Sequence, residues 1–200
     1  MNETSSHSPF DVEELKHLAL KAMRAGNDED ALRLLKDAVA RAPENGELLY
    51  LLGMAHSNMG MVDRAIDEIT RGLALTPNLL NARFQLGLLH FTGRDFEKSE
   101  AAWKPLLGML PEHDPLRTFS IGLTQVGHND LEGAIATLER GIALCNNESL
   151  NADMGRIVTQ ARRYLAESGN RDDGKPGAAA SEPTTQHVLL SGYRQPDERH

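Results

Sequence analysis

The sequence predicts an all-α chain of stacked helix pairs, and three observations carry that expectation. From Val12 onward, amphipathic stretches with apolar residues three and four apart follow one another with short polar breaks. Prolines, leucines and small residues recur at a spacing of 34, in Pro43, Pro77 and Pro111, in Leu18, Leu52 and Leu86, and in Ala31, Ala65 and Ser99. Aromatic residues make up only 4% of the chain against abundant Ala and Leu, a balance that favours helix over strand.

Residues 1–11 are polar and without periodicity, and read as a flexible lead. Val12, Leu15, Leu18, Ala19 and Ala22 then share one helical face, with Asp11 placed to cap it. Gly26 is expected to close this helix, and Asn27 or Asp28 to cap the next. That second helix carries Ala31, Leu34, Leu35, Ala38 and Val39 and stops at Pro43, which cannot continue it. The unit repeats over 46–79 and 80–114, and a fourth copy over 115–148 is offset by one residue, so that Gly53, Gly87 and Gly122 are 34 and then 35 apart.

These residues resemble the tetratricopeptide repeat family. The second copy supplies Leu49, Leu52, Gly53, His56, Ala65, Ile69, Gly72 and Pro77 at the family's characteristic positions. The first copy supplies Leu15, Leu18, Ala19, Ala22, Ala31, Leu35, Ala38 and Pro43, and the third Arg83, Leu86, Gly87, His90, Ser99, Trp103, Leu106 and Pro111. The fourth has Thr118, Ile121, Gly122, Gln125, Ala134, Leu138 and Gly141, with Asn146 where a proline is usual. The resemblance implies a right-handed superhelical solenoid of four helix-turn-helix repeats over residues 12–148. Gly53, Gly87 and Gly122, with Ala65, Ser99 and Ala134, are expected to let paired helix axes approach at the low end of the ~8–10 Å packing range.

Pro105 falls inside the second helix of the third copy and is expected to kink it or split it in two. Residues 149–167 form one more amphipathic stretch, suited to cap the last apolar face. Residues 168–200 are rich in Gly, Pro, Ser and Asp, read as a disordered tail, and hold one short apolar segment over 188–193. Val188 to Tyr193 is expected to be able to fold back into the concave groove of the repeats and compete with a partner there.

The formal net charge of -8 argues against nucleic-acid or anionic-membrane binding, which needs clustered Lys and Arg. The segment MNETSSHSPF has no basic region followed by an apolar one, and no apolar run nears the ~18–20 residues that span a bilayer, so a cytoplasmic location is expected. The one cysteine, Cys145, cannot form an internal disulfide and has no His or Asp at a spacing that suggests a nucleophile. His56 and His90 occupy the same repeat position, but no thiol or carboxylate completes a ligand set at helical spacing, so they are read as structural. No cofactor, metal or catalytic residue is expected.

By the family resemblance, first helices line a concave groove. Carried over to this chain, its apolar members are Leu20, Met23, Tyr50, Met54, Phe84, Leu88, Phe91, Phe119, Leu123 and Val126. The subclass that clamps a chaperone's terminal carboxylate uses Lys, Asn and Arg at set places. Only Lys16 matches here, while Leu20, Leu51, Asn81 and Gln85 occupy the others, so that function is set aside. The expectation is a non-enzymatic module that binds a hydrophobic peptide or helix of a partner protein, as an adaptor, scaffold or secretion-type chaperone. The alternative is a self-assembling protein that pairs with a second copy through repeat faces.

Overall fold

Each repeat becomes a helix pair. A computed structural model of the chain describes residues 10–169, and the described residues form ten helices and no strand. Residues 1–9 of the expected lead, and the tail from 170 with its apolar segment, lie outside them. Helices α1 (Val12–Arg24) and α2 (Asp28–Arg41) make the first repeat, and α3 (Gly46–Asn58) and α4 (Val62–Leu75) the second. The third holds α5 (Leu80–Thr92), α6 (Phe96–Trp103) and α7 (Leu106–Met109); the fourth holds α8 (Pro115–Gly127) and α9 (Leu131–Leu144), and α10 (Glu148–Gly169) follows. The chain divides into two compact units between Leu86 and Gly87, within α5.

The turn inside every repeat is built the same way. Gly26, Gly60, Arg94 and Asn129 all take a left-handed backbone, with φ of 72°, 75°, 65° and 63°. The next amide donates to the carbonyl five residues back, from Asn27 to Ala22, Met61 to His56, Asp95 to His90 and Asp130 to Gln125, each at 2.9 Å. This is the Schellman closure, which satisfies carbonyls that the helix end leaves unpaired. Glycine meets the left-handed requirement without steric cost, whereas Arg94 and Asn129 meet it with a Cβ in place. The spacing of these four residues is again 34, 34 and 35, which places the inserted residue between Arg94 and Asn129.

In the unit before Gly87, the α1 start has a full capping box: Asp11 Oδ1 accepts the Glu14 amide at 2.8 Å, and Glu14 Oε2 accepts the Asp11 amide at 2.8 Å. Asn45 caps α3 by accepting from Glu47 and Leu48. Leu15, Ala19, Leu34, Leu35, Ala38, Leu48, Leu51, Leu52 and Ala55 form one buried cluster drawn from α1, α2 and α3. Helices α3 and α4 nearly touch through their backbones. A Cβ at Gly46 would lie 2.5 Å from the Gly72 carbonyl oxygen, and one at Gly53 would lie 2.7 Å from Ile69 Cγ1.

The unit after Leu86 repeats that arrangement with larger partners. A Cβ at Gly87 would fall on the indole of Trp103, and one at Gly122 would lie 2.7 Å from Leu138 Cδ2. The repeating glycine therefore makes room for the large side chain sixteen residues on, at Ile69, Trp103 or Leu138, and at Gly53 the added Cβ would also lie 3.0 Å from the Ala65 carbonyl oxygen. Pro105 splits the second helix of its repeat in two. The backbone stays helical through Lys104 (φ -47°, ψ -43°) and Pro105 (φ -62°, ψ -29°), so the break is a loss of the proline's missing amide bond and not a change of direction forced by dihedrals. Asp114 caps α8 with Pro115 at its first position, and Asp130 caps α9. Helix α10 packs on α9 through buried Met154, Ile157, Val158 and Ala161, and Arg162 pairs with Glu139 at 2.6 Å.

Candidate functional site

The face to which the sequence assigned a ligand is best formed in the unit before Gly87, where α1 and α3 present matching stripes. On α1, Lys16, Leu20 and Met23 sit at positions i, i+4 and i+7; on α3, Glu47, Tyr50 and Met54 sit at i, i+3 and i+7. Such spacings place each trio along one side of its helix. Leu20, Met23 and Tyr50 rest on the buried cluster beneath and keep part of their surface exposed, as does Met54.

Charge marks one end of the two stripes. Lys16 Nζ lies 2.8 Å from Glu13 Oε2 and 3.3 Å from Glu47 Oε2, so one ammonium ties α1 to α3. The hydrogen bond to Glu13, reinforced by Glu47, raises the Lys16 pKa and keeps it charged. Two carboxylates against one ammonium leave a single net negative charge. Burial raises the Tyr50 phenol, which stays an O–H donor at neutral pH. The arrangement offers aromatic and thioether surface for an apolar anchor, beside a cluster that attracts a cation.

The other six groove residues are interior. Phe84 is 2% exposed, and Leu88, Phe91, Phe119, Leu123 and Val126 are all buried. They are corrected from partner-contacting surface to core. Phe91 shows the reason: its ring meets Phe96 edge-on at 5.5 Å and lies 6.0 Å from Trp103, so large aromatics from the same repeat consume the face that the repeat position points to. Gly141 does the same for Phe119, whose Cε1 would lie 2.5 Å from an added Cβ.

His56 takes a structural place. Its side chain is buried, and Nδ1 donates across the helix pair to Glu68 Oε2 at 2.6 Å, while Nε2 has no partner among the described residues. Among the described residues, no three His, Cys, Asp or Glu side chains come together as a metal site. Replacing His56 by Ala should leave the Glu68 carboxylate, 13% exposed, without its donor, and lower unfolding stability by about 1.5–3 kcal/mol. His56→Gln, which retains a donor, should lose less; urea denaturation of both variants checks this.

A family description, "Tetratricopeptide repeat", matches residues 22–89. Among curated proteins, "BBSome complex member BBS4" of Bos taurus is 29% identical over 115 residues, covering 58% of this chain and 22% of that protein. The chain spans less than half the length of the curated relatives it matches. Among solved structures, "MamA 41-end from Desulfovibrio magneticus RS-1" aligns with a TM-score of 0.57 at 21% identity, over 82% of this chain and 97% of that one. A chain of the "APC/C hetero-tetramer Cut9-Hcn1" aligns with a TM-score of 0.70 at 17% identity, over 91% of this chain and 34% of that one. At these identities the structural likeness speaks to fold. No helix among the described residues is long and apolar enough to cross a membrane.

Proposed function

We propose that this tetratricopeptide repeat protein is a non-enzymatic adaptor that holds a segment of another protein on the paired inner stripes of α1 and α3. The observation that carries the reading is the joint exposure of Leu20, Met23, Tyr50 and Met54 over a buried cluster, with the Glu13, Lys16 and Glu47 charges at one end. Apolar side chains that a folded unit leaves half-exposed in a row are the usual anchor points for a peptide or helix. The partner segment carries an apolar or aromatic anchor with a Lys or Arg to one side, since the net charge of the cluster is negative. An adaptor or scaffold role fits a repeat fold, whose known use is contact between proteins.

Capture from cells with the intact chain and two variants tests this. Met23→Glu puts a second charge into the apolar stripe and should abolish capture, whereas Thr70→Glu, on an exposed position of α4, should leave it unchanged. Equal capture by all three chains would remove the site from α1 and α3. A second reading, pairing with another copy, is favoured by exposed Val62 and Leu75 on α4. It predicts a mass by light scattering that doubles with concentration and returns to the monomer value in Leu75→Glu.

A further inference from the structure

The unit after Leu86 contains an open apolar cavity of about 260 Å³ between α6–α7 and α8, lined by Trp103, Lys104, Leu107, Ile121, Thr124 and Gln125 among others. It sits where Pro105 interrupts the helix, and Leu107 of the short α7, on its wall, is 40% exposed. Its volume falls just below the ~300–1,000 Å³ of pockets for drug-sized ligands, which suits one or two apolar side chains rather than a cofactor. On its wall Gln125 donates through Nε2 to Asp130, while its buried Oε1 has no partner among the described residues.

We propose that this cavity is the docking site for the chain's own segment Val188 to Tyr193. The sequence between α10 and that segment, residues 170–187, contains no apolar side chain larger than alanine or proline, so Val188, Leu189, Leu190 and Tyr193 are the first large apolar groups after α10. Helix α10, after which the segment follows, belongs to the same compact unit of the chain as the cavity. Eighteen residues of this Gly-, Ser- and Pro-containing composition could span about 21–25 Å as a coil, about twice the ~12 Å radius of gyration of an 80-residue unit, a length sufficient to reach the cavity. A tether of that length holds the segment at an effective concentration of about a millimolar, enough for a weak two-anchor contact to be populated. The Tyr193 O–H supplies a donor of the kind that Gln125 Oε1 lacks. This site is separate from the α1 and α3 stripes and stands or falls independently of the partner reading.

Trp103 is the sole tryptophan and lies on the cavity wall, so energy transfer from it reads occupancy directly. The test uses the full chain with Cys145→Ser and Ser191→Cys, labelled at position 191 with a dansyl acceptor. Docking predicts strong quenching of Trp103 that is unchanged on dilution. Adding Leu189→Asp and Leu190→Asp should weaken docking by about a hundredfold and restore donor emission, because a change of that size moves a population from about ten-to-one closed to about ten-to-one open. Ile121→Arg, on the cavity wall, should act likewise, with thermal unfolding by circular dichroism confirming that the unit remains folded. Equal transfer in the parent, tail and cavity variants would overturn the proposal. Transfer that falls on dilution, or on mixing with excess unlabelled chain, would assign the cavity to a second copy's tail instead and equally overturn it.

Discussion

Trp103→Ala should lower the stability of the unit after Leu86 by about 3–5 kcal/mol, the range for removing a large buried aromatic from a core that cannot collapse around the void. The side chain is 2% exposed, fills the space that Gly87 leaves on α5, and lies 6.0 Å from the Phe91 ring. Two features prevent relaxation. Gly87 has no side chain to move into the gap, and Phe91 is already held edge-on by Phe96 at 5.5 Å. Pairing Trp103→Ala with Gly87→Leu should recover part of the loss, since the added side chain enters the vacated volume. Circular dichroism against urea measures the change, and hydrogen exchange should show the amides of α6 and α8 losing protection. A loss below about 1 kcal/mol would mean that the indole is not the core element its burial indicates.

On the binding side the largest effect is expected at Tyr50. Tyr50→Ala should weaken partner binding about thirtyfold or more, corresponding to the ~2 kcal/mol that defines a hot spot, because a half-exposed aromatic that a partner covers at the centre of a stripe carries much of an interface's energy. Glu47→Gln, at the charged end, should have a smaller effect that shrinks with added salt, since the contact there is screened. Tyr50 packs on the buried cluster of α1, α2 and α3, so its removal also costs some packing. Tyr50→Phe separates the two contributions. It retains the ring, and should retain most of the affinity if apolar anchoring dominates over the O–H.

The repeat architecture was legible in the sequence because it is encoded redundantly. Pro43, Pro77 and Pro111 end second helices, and Gly53, Gly87 and Gly122 accept the large residue sixteen positions on, so two periodic series report one geometry. The in-repeat turns were legible only in part. Gly26 signals a left-handed closure by its residue type, whereas Arg94 adopts the same backbone because the flanking helices and the Asp95-to-His90 bond impose it. Pro105 signalled an interruption, but a split with both sides still helical depends on the Glu100 carbonyl bonding Lys104 before the proline and on Pro105 bonding Met109 after it.

The site was less legible than the fold, for a different physical reason. A repeat position fixes the direction in which a side chain points from its helix, but burial depends on what the neighbouring helix brings to that spot. Leu20 and Tyr50 pack on the buried cluster beneath them and keep part of their surface exposed. Phe91 and Phe119 face Phe96, Trp103 and the bare backbone at Gly141, and are drawn inside. The Lys16 bridge to Glu47 spans 31 residues and has no local sequence signature.

The central claim, that the α1 and α3 stripes hold a partner segment, is tested most directly by photocrosslinking in cells with p-benzoylphenylalanine in place of Tyr50, and, as the control, in place of exposed Thr70 on α4. Peptide mapping should find adducts from position 50 concentrated on one apolar segment of one protein with a Lys or Arg beside it, lost when Met23→Glu is added. Adducts spread equally over positions 50 and 70, or insensitive to Met23→Glu, would contradict it.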